Sequence, residues 1–109
     1  MPVLEKVAQH SEVDARQMLE SARHTTEFLK SLAHEGRLVI LCRLAEQPAT
    51  VGELEEFLGL RQAAVSQQLA RLRMEGLVAA ERDGRSIRYS IADERAKQVV
   101  RLLYDLFCK

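Results

Sequence analysis

Two residues of this chain can do covalent chemistry: Cys42, inside the apolar run VILCRL, and Cys108, inside LLYDLFCK. A thiolate is a nucleophile and a ligand for soft ions. Arg43 beside Cys42 and Lys109 beside Cys108 favour the charged form, while the negative end of a helix opposes it at Cys108. A direct disulfide would need the two Cα atoms within about 7 Å. A domain of 109 residues buries roughly two-thirds of its unfolded surface without cross-links, so the thiols are not required as scaffolding. Cys42 also reads as a small buried hydrophobe, a reading that does not suit Cys108 beside a chain end. His10, His24 and His34 fall at polar helix positions and read as surface or packing residues.

The surrounding elements follow from periodicity. From Asp14 to Leu32, apolar or small residues at Leu19, Ala22, Thr26, Leu29 and Leu32 repeat at helical spacing. EGRLVILCRLAEQ predicts a second, central helix closed by Pro48. Thr50 and Glu53 stand as a capping box for a short third helix, Val51 to Leu58, that stops at Gly59. RQAAVSQQLARLRMEG predicts a fourth, with Ala64, Val65, Leu69 and Leu72 as its apolar stripe and Gly76 as its end. The period then changes to two: LVAAERD and RSIRYSIA flank Asp83-Gly84, a strong hairpin signal. Helical spacing returns at Ala96, Val99, Val100, Leu103, Leu106 and Phe107.

The expectation is a single domain over residues 1–109, mainly α with a β-hairpin, in the order α-α-α-α-β-β-α. The opening MPVLEKVAQH has no apolar core of a leader and no run of eighteen apolar residues occurs, so a cytoplasmic protein without membrane contact is expected.

Two adjacent helices joined by a Gly-containing turn have the arrangement of a helix-turn-helix, and the fourth helix is expected to carry the side chains that read duplex DNA. Gln62, Ser66, Gln67, Gln68 and Arg71 suit base edges, and Arg85 and Arg88, placed on the hairpin tip, suit phosphates or a neighbouring minor groove. The formal net charge is zero, but Arg61 to Tyr89 holds six arginines against Glu75, Glu81 and Asp83, or 6 − 3 = +3. A partner surface is expected for the last helix, through Ala96, Val99, Leu103, Leu106 and Phe107.

LAHEGRLVIL, VSQQLARLRMEGLV and RDGRSIRYSI are similar to three successive landmarks of the ArsR/SmtB family of winged-helix repressors, and the resemblance spans nearly the whole chain. It implies a homodimer joined by the first and last helices, Leu19 and Ala22 included, a fourth helix that reads an inverted-repeat operator, and a hairpin wing. The chain departs from the pattern at Gln68, where many relatives carry His. Of the family's usual metal sites, the cysteine pair of the third helix is replaced by Thr50 and Gly52. The Asp-x-His of the last helix is replaced by Asp93-x-Arg95, with no histidine after His34. No metal or cofactor is therefore expected.

The remaining thiols resemble the dithiol, sulfide-responsive branch, which implies that Cys42 and Cys108 react with persulfide or polysulfide to form a sulfur-containing bridge and so release sulfide-detoxification genes. Thiols held slightly too far apart for a disulfide would leave room for inserted sulfur. The competing readings are a thiophilic metalloid or soft cation, a peroxide-driven disulfide switch, and a winged helix used for protein contacts alone. An enzyme is not expected: there is no Cys-x-x-Cys, no general base beside either thiol and no Gly-rich cofactor loop.

Overall fold

The computed structural model describes residues 12–108, with side chains from Asp14 onward. His10 and Lys109, and with them the expected influence of Lys109 on Cys108, lie outside the described residues. The chain forms two compact units, Met1–Ala33 and His34–Lys109.

In the first unit, helix α1 spans Glu12–Leu32. The mid-helix Thr26 hydroxyl bonds back to its own helix, Oγ1 donating to the Ala22 carbonyl at 2.7 Å. Leu19 and Ala22 are exposed, Leu19 at 70%.

The second unit runs α2 (Glu35–Glu46), β1 (Ala49–Thr50), α3 (Val51–Leu58), α4 (Gln62–Met74), β2 (Val78–Asp83), β3 (Ser86–Ile91) and α5 (Glu94–Phe107). Ile40, Leu41 and Leu44 of α2, Leu54 of α3, Val65, Leu69 and Leu72 of α4 and Val100 of α5 are buried. Fully burying a side chain of this kind is worth roughly 1.5–3 kcal/mol, so this cluster holds the helices around α2. Ala64, expected on the α4 stripe, is exposed instead: Val65, Leu69 and Leu72 alone satisfy the i, i+4, i+7 spacing of the inner face.

The caps behave as the sequence requires. Thr50 Oγ1 accepts from the Glu53 amide at 3.2 Å, and Glu53 Oε1 accepts from the Thr50 amide at 3.1 Å. Gly59 then ends α3 at φ 67°, a left-handed conformation that costs a side-chain-bearing residue roughly 1–2 kcal/mol.

The sheet has three antiparallel strands in the order β1-β3-β2. Strand β1 was not legible in the sequence. Its two residues pair as Ala49↔Tyr89 and Thr50↔Arg88, and two residues cannot show a period. The hairpin register also differs by one position from the expected turn. Asp83 pairs with Ser86, so the loop is Gly84-Arg85, not Asp83-Gly84. Gly84 has φ 64° and no residue other than glycine has positive φ among the described residues. Positive φ at the first loop position alone is the type II′ pattern.

Candidate functional site

The outward face of α4 carries Ala63, Gln67, Ala70, Arg71 and Met74, all exposed and opposite Val65, Leu69 and Leu72. Two alanines among longer polar side chains let a helix backbone come close to another surface. Gln62 is exposed in the first turn and Ser66 is half-buried on the flank. Gln68 is turned away from this face: its Oε1 accepts from Arg37 Nε of α2 at 3.4 Å. Arg37 also pairs with Glu75, at the C-terminal end of α4, at 2.9 Å, with its own side chain only 13% exposed. One arginine therefore touches two points of α4 and sets its orientation on α2. Met74, 87% exposed, belongs to the outward face and was missed as an apolar residue at a helix end.

On the hairpin the two expected arginines separate. Arg85 occupies the turn and is exposed. Arg88 is not on the tip. It lies in the central strand β3, where Nε donates to Asp83 Oδ2 at 3.1 Å and Nη1 to Glu53 Oε1 at 3.2 Å. The hydrogen bond to Asp83, ahead of the nearby carboxylates, raises the Arg88 pKa. The Glu53 carboxyl is lowered, first by its hydrogen bonds to Thr50 and then by the Arg88 charge.

The thiols are close in space despite the length of chain between them. Helix α5 packs along α2, and Cys42 and Cys108 both line one cavity of about 300 Å³ with Leu38, Glu46, Phe57 and Tyr104. Both are free thiols, Cys42 half-buried and Cys108 exposed. Leu38, Cys42 and Glu46 are spaced by four on α2, and Tyr104 and Cys108 by four at the end of α5, so this spacing is the signal that could have found the cavity wall. Arg101 fastens the two helices by donating from Nη2 to the Ala45 carbonyl at 3.1 Å.

The electrostatics of Cys42 run against the sequence expectation. Burial first, then charge on Cys108, then the Glu46 carboxylate push its thiol above the ordinary 9.0. Arg43 does not offset this. Its guanidinium turns to the Gln47 carbonyl at 3.1 Å and over the Phe57 ring at 5.3 Å.

On α5, Asp93 caps the helix by accepting from the Arg95 amide at 2.8 Å, and the Arg95 guanidinium pairs with the same carboxylate at 2.8 Å. The Arg95 hydrogen bond leads in lowering the Asp93 pKa. Ala96, expected at a partner surface, is instead fully buried in the core of its own unit, because it stands four residues before Val100 on the inward face. Val99 and Leu103 are half-buried. Leu106 and Phe107 are exposed at 63% and 79%, and Leu102, missed in the sequence, joins them at 57%.

Among the described residues no group of three or more His, Cys, Asp or Glu is arranged to hold a metal ion. No helix among them is long and apolar enough to cross a membrane.

Residues 34–80 match the family described as "Bacterial regulatory protein, arsR family". The chain is 39% identical over 105 residues to the biofilm growth-associated repressor of Agrobacterium fabrum, covering 96% of this chain and 90% of that protein. The chain belongs to the arsR family. Among solved structures, the chain resembles the transcriptional regulator HlyU from Vibrio vulnificus, with a TM-score of 0.84 at 38% identity, covering 87% of this chain and 99% of that one. Reduced HlyU from Vibrio cholerae superposes with a TM-score of 0.80 at 36% identity, covering 86% and 99%. The fold is thus the winged helix of the arsR family: α3 and α4 are its helix-turn-helix and β2-β3 its wing.

Proposed function

We propose that this transcriptional regulator is a homodimeric repressor that binds an inverted-repeat DNA operator and releases it when Cys42 and Cys108 react with persulfide. DNA contact falls to Gln62, Ser66, Gln67 and Arg71 of α4 and to Arg85 of the wing. Support comes from the outward face of α4 and from the Agrobacterium relative, itself a repressor. The observation that carries the sensing step is the shared cavity, which puts two free thiols from helices distant in sequence against one space of about 300 Å³.

The chemistry balances with a persulfide donor, RSSH, as both sulfur source and oxidant. The exposed Cys108 thiolate attacks the outer sulfur, giving Cys108–S–SH and RSH. A second donor reacts at Cys42 in the same way, more slowly, because burial and the Glu46 carboxylate hold the Cys42 proton. The Cys108 persulfide anion then attacks Cys42 Sγ, breaks its bond to the terminal sulfur and expels HS⁻. The sum is two thiols and two RSSH going to a trisulfide bridge, two RSH and H₂S. A further sulfur enters by one more transfer.

The test uses a duplex enriched from a random pool by the reduced protein, with intact mass and affinity read on one sample before and after anaerobic glutathione persulfide. A bridged species about 32 or 64 Da heavier than the disulfide form, with lost affinity, is expected. Full retention of affinity by the modified protein would sink the reading. Release of DNA by arsenite with the thiols otherwise unmodified would assign the pair to a metalloid instead.

A further inference from the structure

We propose that Arg88 is a positioning residue, not a phosphate contact, and that it locks the wing to the N-terminus of α3 so that hairpin and helix-turn-helix meet DNA as one rigid head. The inference rests on the DNA-binding reading above. Arg88 lies in β3 opposite both Thr50 of β1 and Glu81 of β2, so its side chain starts from the middle of the sheet. From there it reaches in two directions. Nε bonds Asp83 Oδ2 at 3.1 Å, at the end of β2 next to the turn, and Nη1 bonds Glu53 Oε1 at 3.2 Å, in the first turn of α3.

Glu53 Oε1 is already the capping-box acceptor for the Thr50 amide, so the helix cap and the wing share one oxygen. Thr50 belongs at once to β1 and to the cap of α3. A tilt of the wing would therefore break the arginine bridge and disturb the helix start together. The charge balance agrees. Within the bridge one guanidinium meets two carboxylates, a net of −1, so Arg88 itself is already committed, whereas Arg85 at the exposed turn is placed to meet a phosphate. The geometry also requires arginine: a planar fork bonds two carboxylates in different directions, and the single ammonium of lysine does not span both.

The experiment compares R88K, R88Q and R85Q with wild type by amide hydrogen exchange in the free protein and by salt-dependent affinity for the duplex enriched by wild type. Circular dichroism checks that each variant keeps its fold. Expected for both R88K and R88Q are wing amides over residues 78–91 that exchange about fivefold faster, affinity about fivefold lower, and an unchanged salt slope. R85Q should leave exchange alone and lower the magnitude of the salt slope by about 0.9. Wild-type exchange and affinity in R88K, or a slope lowered by about 0.9 in R88Q, would overturn the proposal. If wild type enriches no duplex, the DNA-binding reading fails, and the exchange arm still decides whether Arg88 locks the wing.

Discussion

At the scale of single residues, the thiols show how far chemistry depends on surroundings that adjacency in sequence does not report. Arg43 is next to Cys42 in the chain, yet its guanidinium is committed to the Gln47 carbonyl and the Phe57 ring. Burial, then the charge on Cys108 and the Glu46 carboxylate, raise Cys42, and its folded pKa lies above 9.0. The sign of the pH effect follows. Below about pH 9 folded and unfolded chains both keep this proton and nothing is lost. Above it the unfolded chain ionises first, so the reduced protein loses stability as pH rises through the higher folded value. Denaturant melts of wild type and Cys42→Ser from about pH 8 to pH 10.5 should show wild type falling relative to the variant. A constant difference across that range would contradict the shift.

At the scale of elements, local sequence was a good guide wherever the physics is local. The capping box at Thr50 and Glu53 and the stop at Gly59 need only neighbouring atoms, and both form as read. Thr50→Ala should cost about 1 kcal/mol in a denaturant melt, because one orphan amide of α3 loses its acceptor. The hairpin was found but its turn was placed one residue early, since Asp-Gly is also compatible with glycine in the first loop position. Gly84→Val therefore puts a branched side chain at φ 64°. It should destabilise the protein by about 2 kcal/mol, whereas Asp83→Asn should be milder. Equal melts for Gly84→Val and wild type would show that the turn relaxes into another type.

For the whole molecule, the apolar residues left on α5 are the ones to which the proposed dimer assigns a partner. Leu102, Leu106 and Phe107 are exposed near the end of a helix whose inward side is held by buried Ala96 and Val100; exposed apolar groups of this size are what a partner surface covers. Leu106→Glu should weaken self-association by about tenfold or more in sedimentation. The same change should lower DNA affinity, because one head then replaces two spaced by a turn of duplex. Ala96→Val should instead lower stability, since its site is fully buried within one chain. If Leu106→Glu self-associates as wild type does, the dimer uses another surface.

The sequence by itself determined the helix order, the caps, the wing and the family, because these rest on period, capping chemistry and contiguous motifs. It also singled out Gln67, Arg71 and Arg85, which the fold leaves exposed. The resemblance paired Cys42 with Cys108, and tertiary structure supplied the cavity they share and decided that Ala96 is core. Tertiary structure alone turned Gln68 to Arg37 and withdrew Arg88 from the wing tip into a bridge between Asp83 and Glu53. Each of these depends on which residues from distant segments meet, and a helical or strand period specifies only which way a side chain faces, not what it will find there.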